Sequence, residues 1–177
     1  MASKKIDLKQ YIRSIPDWPK KGILFRDITP LLGDPRAFAS AVEALSAEFS
    51  GAGVDYVAAV EARGFIFGAA VAEKLAAGFI PIRKKGKLPW RTESFTYDLE
   101  YGTDTLEVHR DAVRSGSKVL MVDDSLATGG TMAAACKLIE KIGGRVAGIA
   151  FLVELADLKG REKLTGYKLT SVISYTD

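Results

Sequence analysis

The sequence predicts an α/β fold: a single-domain, open, mostly parallel sheet with flanking helices. Three observations carry that expectation. Short apolar runs alternate along the chain with segments of helical periodicity, the order that builds parallel sheets through right-handed crossovers. The apolar run Val119-Leu120-Met121-Val122 ends at two adjacent acids, Asp123 and Asp124, then passes through a loop of hydroxyls and glycine into a helical pattern. No internal repeat, low-complexity tract or linker divides the chain, so residues 1–177 read as one domain.

Taken in order, residues 6–15 place Ile6, Leu8, Tyr11, Ile12 and Ile15 at spacings that fit a short helix, closed by Pro16, Pro19 and Gly22. Residues 22–30 read as a compact mixed loop or short strand, with Phe25 beside Arg26 and Asp27. A helix over 35–50 is predicted from Asp34 as cap, Pro35 in the first turn, and Phe38, Val42, Leu45 and Phe49 along one face. Residues 54–60 form a strand candidate. Glu61-Ala62-Arg63-Gly64 is a turn of opposite charges, and 65–77 a helix rich in small residues that Gly78 would close. Residues 79–82 read as a strand.

From Lys84 to about Ser94 the chain is basic and irregular. Residues 96–101 and 105–109 then alternate like strands on either side of Gly102, an antiparallel pair flanking a flap. Residues 111–114 suggest a helical turn. Beyond them lie a strand over 118–122, a helix over 129–142 stopped by Gly143-Gly144, and a strand over 146–153. A local helix or turn over 158–164 and a final strand over 167–175 complete the order.

The totals exclude several classes. The apolar fraction of 47% is ordinary for a globular protein, and no run reaches the roughly 18–20 apolar residues of a membrane helix. The basic N-terminus has no apolar region behind it of the kind a secretory signal needs. The single cysteine, Cys136, rules out an internal disulfide framework and falls in a core pattern. These features predict a cytoplasmic location. A net charge of +3 suits an anionic ligand without arguing for nucleic acid. The basic clusters are Arg83-Lys84-Lys85-Gly86-Lys87, read as an anion-binding loop or a solvated turn, and Lys159-Gly160-Arg161-Glu162-Lys163.

The chemistry concentrates after the strand at 118–122. A glycine-rich turn and a helix N-terminus offer backbone N–H groups that suit a phosphate. Two carboxylates beside it cannot take the phosphate, but they suit hydroxyls or a divalent cation. A ribose 5-phosphate presents both kinds of group. Parallel sheets place binding loops beyond the carboxyl ends of their strands, so loops 61–64, 83–87 and 123–131 are expected to converge. The loop fits neither a Walker A motif nor a dinucleotide fingerprint. An acidic metal pocket, or simply a capped helix start, remains the alternative for the two acids.

The run Val122-Asp123-Asp124-Ser125-Leu126-Ala127-Thr128-Gly129-Gly130-Thr131 resembles the phosphoribosyl pyrophosphate signature of type I phosphoribosyltransferases. The chain is most similar to the adenine phosphoribosyltransferase branch of that family. The likeness covers nearly the whole chain and includes Phe25-Arg26-Asp27-Ile28-Thr29-Pro30, Glu61-Ala62-Arg63-Gly64-Phe65, Arg83-Lys84-Lys85-Gly86-Lys87-Leu88-Pro89 and Tyr97-Asp98-Leu99-Glu100-Tyr101-Gly102. It implies a type I phosphoribosyltransferase-like sheet with a flexible antiparallel flap and a small N-terminal hood.

The resemblance also implies an activity: ribose 5-phosphate passes from phosphoribosyl pyrophosphate to N9 of adenine, giving AMP and pyrophosphate. Mg²⁺ is required, held mainly by phosphoribosyl pyrophosphate and water. Carried over by residue, Ala127, Thr128, Gly129, Gly130 and Thr131 would hold the 5-phosphate, and Asp123 and Asp124 would meet the ribose hydroxyls. Ala62, Arg63 and Gly64 would approach the pyrophosphate, together with Arg83 and Lys87, the latter from the partner subunit of a homodimer. Phe25 would cover adenine, with the backbones of Leu24 and Arg26 at its polar edge. Glu100 resembles the flap carboxylate near adenine N7, the expected catalytic group. Tyr97 and Tyr101 are weaker candidates, and nucleic acid and membrane are not expected partners.

Position 125 departs from the family. Relatives usually carry a bulky aliphatic there as the second wall of the base pocket, and this chain has Ser125. The lost apolar contact is expected to weaken the base sandwich by about 1 kcal/mol. It leaves open another purine or an adenine analogue as acceptor. A catalytically weak nucleotide-binding regulator is the remaining reading. Trp90 is assigned to flap packing, and His109 to a structural role.

Overall fold

The computed structural model describes residues 6–98 and 102–176. Among these, seven strands form one sheet in the order β5-β6-β4-β3-β7-β8-β9, and β1 (Arg13–Pro16) and β2 (Leu24–Asp27) form a separate antiparallel pair. The central strands β3 (Tyr56–Val60), β4 (Gly78–Lys84), β7 (Lys118–Leu126), β8 (Arg145–Leu155) and β9 (Leu169–Tyr175) run parallel. The flap strands β5 (Thr92–Asp98) and β6 (Thr103–His109) are antiparallel and join the sheet through β4, so the flap is an extension of the sheet rather than a detached arm. Apolar clusters cover both faces. Leu120, Val122 and Leu152 face one, and Val119, Met121 and Phe151 the other. That two-sided burial explains why these strands read as continuous apolar runs.

The N-terminus corrects the expected helix over 6–15. A single 3₁₀ turn spans Leu8–Tyr11, and the chain then enters β1. Pairing with β2 overrides the weak helical period. Arg13 adds a 2.7 Å contact to Asp27, whose carboxylate also accepts the Thr29 N–H at 2.9 Å. Residues 22–30, expected as a mixed loop or short strand, supply β2, and a short helix, α1 (Thr29–Gly33), follows it.

Helix α2 (Pro35–Ser46) starts as expected. The Asp34 carboxylate accepts the N–H groups of Arg36 and Ala37, both at 2.9 Å. A 3₁₀ turn, Ala47–Phe49, carries it on to Phe49. Helix α3 (Arg63–Lys74) lies tight on the sheet because its glycines leave room: a Cβ on Gly68 would come 2.6 Å from the Ala59 Cβ. Gly78 does not stop this helix, as expected, but opens β4. There its backbone donates to Asp55 O and packs on the Tyr56 ring. The turn out of α3 is made by Ala76, at φ 53°.

Strand β7 runs beyond the expected 118–122, through both acids to Leu126. Strand β8 supplies parallel partners as far as Ser125↔Val153 and Leu126↔Glu154. Helix α4 (Gly130–Lys141) follows, and its Cys136 is buried, with burial pushing the thiol pKa to about 12. Gly143, at φ 94°, ends it as expected. Residues 111–114 turn without forming a helix, and 3₁₀ turns at Ala156–Leu158 and Gly160–Leu164 precede β9. No helix among the described residues is long and apolar enough to cross a membrane.

Gly148 marks a tight point, where the β7–β8 register skips Ala147. A Cβ there would lie 2.4 Å from the Phe49 ring, itself only 2% exposed. Gly148→Ala is expected to cost about 1–3 kcal/mol of stability by overpacking, read as a lower urea midpoint at unchanged m-value.

Candidate active site

A cavity of about 430 Å³ opens at the carboxyl ends of β3 and β7. Its described lining comes from the turn after β3, the last four residues of β7, and the loop into α4, with Phe151 behind them. Ala62, Arg63, Asp123, Asp124, Ser125 and the run from Ala127 to Thr131 all stand there together. The Glu61–Ala62 peptide of the first turn is cis.

The two acids are held inside β7 by its pairing with β8, not at a free strand end. The backbone N–H of Asp124 donates to Asp123 Oδ1 at 2.9 Å. Asp124, 5% exposed, receives Arg63 Nε at 2.9 Å. Burial, then the charge of Asp124, push the Asp123 carboxyl well above the usual carboxylate range. Burial also raises Asp124, and the Arg63 guanidinium opposes that rise. Gly64 lies directly against this pair. A Cβ there would stand 2.6 Å from Asp123 Oδ1, so the first turn of α3 can approach the acids only without a side chain.

The loop beyond β7 ends in Gly129, whose φ of 78° is left-handed and sets the entry into α4. The first bond across this start is Ala133 N–H to Gly129 O at 3.0 Å, so the amides of Gly130, Thr131 and Met132 precede the helical ladder. They form the positive end of the helix dipole. The Thr131 hydroxyl shares a 3.2 Å hydrogen bond with the Tyr97 hydroxyl, which brings the flap strand β5 onto the loop.

Arg83 and Lys87 do not reach the described lining. Arg83 Nη2 donates to Glu61 Oε2 at 3.3 Å and its Nη1 to Lys87 O at 3.1 Å. Glu61 Oε1 accepts the Lys84 N–H at 2.7 Å, and Glu107 Oε2 the Gly86 N–H at 2.9 Å. Burial alone would raise the Glu61 carboxyl, but the Lys84 amide and Arg83 bring it below its ordinary value. Loop 83–87 is therefore tied to turn 61–64 through Glu61, a role the sequence reading did not assign. The signal was present: one carboxylate in Glu61-Ala62-Arg63 and one basic run that needs a counter-charge.

Leu24, Phe25 and Arg26 are not part of the described cavity lining; Phe25 is linked to it through Arg63. Arg63 holds its guanidinium carbon 5.4 Å from the Phe25 ring centroid, and Trp18 packs edge-on against Phe25 at 4.3 Å. Leu24 is exposed on the same strand. The Arg26 side chain turns away, to Ser14 Oγ at 2.5 Å and over the Tyr175 ring at 3.9 Å. Glu100 and Tyr101 lie outside the described residues, between the ends of β5 and β6.

Paired acids, Asp124 buried and Asp123 partly exposed, stand beside helix-start amides and an arginine, an arrangement able to accept hydrogen bonds from hydroxyls and to donate them to an anion. Residues 32–174 match the model of the phosphoribosyl transferase domain. The adenine phosphoribosyltransferase of Pseudothermotoga lettingae is 55% identical over 170 residues, covering 96% of this chain and 100% of that protein. The crystal structure of the Thermoanaerobacter pseudethanolicus enzyme of the same name superposes with a TM-score of 0.92 at 54% identity, covering 96% of this chain and 98% of that one. The Saccharomyces cerevisiae adenine phosphoribosyltransferase, crystallised with an imino-altritol bisphosphate and adenine, gives 0.89 at 38% identity, with 94% and 96% covered. A sheet of this topology, a cavity of this chemistry and likeness across nearly the full length have one common explanation: the chain belongs to the adenine phosphoribosyltransferase family, a group of pentose-transferring enzymes.

Proposed function

We propose that the chain, acting as one domain over residues 1–177, transfers ribose 5-phosphate from phosphoribosyl pyrophosphate to N9 of adenine, releasing pyrophosphate and forming AMP. The observation that carries this reading is the pairing of Asp123 and Asp124 with the α4 amide cradle across a single cavity. In this assignment the amides from Ala127 to Thr131, with the hydroxyls of Thr128 and Thr131, bind the 5-phosphate. Asp123 and Asp124 accept hydrogen bonds from the two ribose hydroxyls. Ala62, Arg63 and Gly64 bring backbone and charge to the pyrophosphate.

Arg83 and Lys87 serve the leaving group once Glu61 yields Arg83 or a partner subunit supplies Lys87. Phe25 covers the base, and the backbones of Leu24 and Arg26 read its edge. Glu100, in the flap, hydrogen-bonds near N7 and favours the tautomer whose N9 lone pair attacks. The C1–O bond to pyrophosphate breaks as the N9–C1 bond forms on the opposite face, and the proton that this tautomer carries on N7 leaves toward Glu100. Closure of residues 84–100 excludes water from the developing cation.

Among the described residues no group of three acidic, histidine or cysteine side chains is poised to hold a metal ion. In this reading Mg²⁺ would be carried by pyrophosphate oxygens and water, and Glu61, Asp123 and Asp124 are the described acids that line the cavity. When bound, the cation would supply charge neutralisation at the leaving oxygens. A homodimer in the cytoplasm completes the reading.

Ser125 lines the cavity and supports a second reading in which another purine or an adenine analogue is the acceptor. Pyrophosphate release with adenine, hypoxanthine and guanine, with and without Mg²⁺, separates the two. Adenine- and Mg²⁺-dependent release is expected. Tight nucleotide binding without release would point instead to a regulator. Glu100→Gln is expected to lower kcat about 10²-fold with little change in adenine KM, as loss of a positioned proton-transfer group does.

Asp123→Asn is expected to abolish phosphoribosyl pyrophosphate binding while stabilising the unliganded protein. The folded carboxyl pKa lies above its ordinary 3.8, so the wild type loses stability as pH rises from 3.8 through the folded value. The variant does not, and its advantage in thermal midpoint should widen over that window and then level off.

A further inference from the structure

The second basic cluster, Lys159-Gly160-Arg161-Glu162-Lys163, is not used by the proposed chemistry, yet it is folded against the cradle. Gly160 is buried. A Cβ on Gly160 would lie 2.3 Å from Ala127 O and 2.7 Å from Leu126 Cδ1, and a Cβ on Gly129 would lie 2.4 Å from Gly160 O. Two stretches of backbone therefore touch with no side chain between them. Ala127 and Gly129 line the cavity, and Gly160 does not, so it braces the loop from outside.

Arg161 keeps the brace in place. Its Nε and Nη2 donate to Glu154 Oε1 and Oε2 at 2.6 and 2.7 Å, and Nη2 reaches Ser171 Oγ at 3.3 Å. Glu154 is 6% exposed and sits in the sheet between Leu126, the last residue of β7, and Ser174 of β9. The planar fork of an arginine on a carboxylate fixes both distance and orientation. It does so at the level of the sheet where β7 gives way to the cradle. A loop containing Gly129-Gly130 is inherently free in its backbone, and amides that must converge on one phosphate tolerate only about 0.5 Å of error.

We propose that Gly160, Arg161 and Glu154 are positioning residues for the sugar phosphate: the Arg161–Glu154 fork holds Gly160 against Ala127 and Gly129 and thereby sets the spacing of the cradle amides. The proposal rests on the assignment of that cradle to the 5-phosphate of phosphoribosyl pyrophosphate.

The test compares wild type with Arg161→Ala, Arg161→Lys and Glu154→Gln, using steady-state kinetics in both substrates, calorimetric titration with Mg²⁺–phosphoribosyl pyrophosphate, and thermal midpoints to keep assays below unfolding. In Arg161→Ala the KM and Kd for phosphoribosyl pyrophosphate should rise about tenfold, while kcat and the adenine KM stay within about twofold. Arg161→Lys should fall between, because lysine keeps the charge and loses the fork. Glu154→Gln should follow Arg161→Ala. A folded Arg161→Ala with unchanged phosphoribosyl pyrophosphate KM, or with equal losses for both substrates, overturns the proposal and leaves the activity standing. A wild type that fails to bind phosphoribosyl pyrophosphate removes the activity and the proposal together.

Discussion

Two carboxylates sit side by side in the interior of strand β7, where burial disfavours both charges and that of Asp124 further disfavours that of Asp123. The surrounding structure is arranged to hold them there. Strand β8 pairs with β7 past both acids, so neither side chain can swing out with a frayed strand end. Arg63 partly compensates Asp124, and Gly64 lets the first turn of α3 come close enough for that contact. Polar groups kept in so unfavourable a position are characteristic of a site shaped for a ligand rather than for stability.

Close backbone approach is the second theme. Gly64 faces Asp123, Gly68 lets α3 rest on Ala59, and Gly129 and Gly160 touch behind the cradle. Each removes one side chain and thereby fixes the height of an element above the sheet. The cradle depends on this more than the helices do. Amides bind a phosphate only when they point to one place, and a glycine loop does not hold that arrangement unaided.

Charge is handled by carboxylates set in strands and turns. Glu61 and Glu107 take the Lys84 and Gly86 amides, Glu154 takes Arg161, and Asp27 takes Arg13. The basic loop, read from the sequence as an anion-binding loop or a solvated turn, is thus anchored through the Lys84 and Gly86 amides. Arg83 is engaged by Glu61, a contact that a pyrophosphate group would have to displace before using it.

By itself the sequence determined the α/β alternation, the helix cap at Asp34 and the composition of the cradle, because these follow from periodicity and from chemistry within a few residues. The paired acids were legible for the same reason. Tertiary structure alone decided where β7 ends, since that depends on partners in β8, and it turned residues 13–16 into a strand because β2 lay opposite. It also decided that Gly78 begins a strand, that Glu61 engages Arg83, and that Gly160 backs Gly129. Those contacts join residues between 22 and 31 positions apart in the chain for the last two, and no local spacing reports which distant backbones will meet.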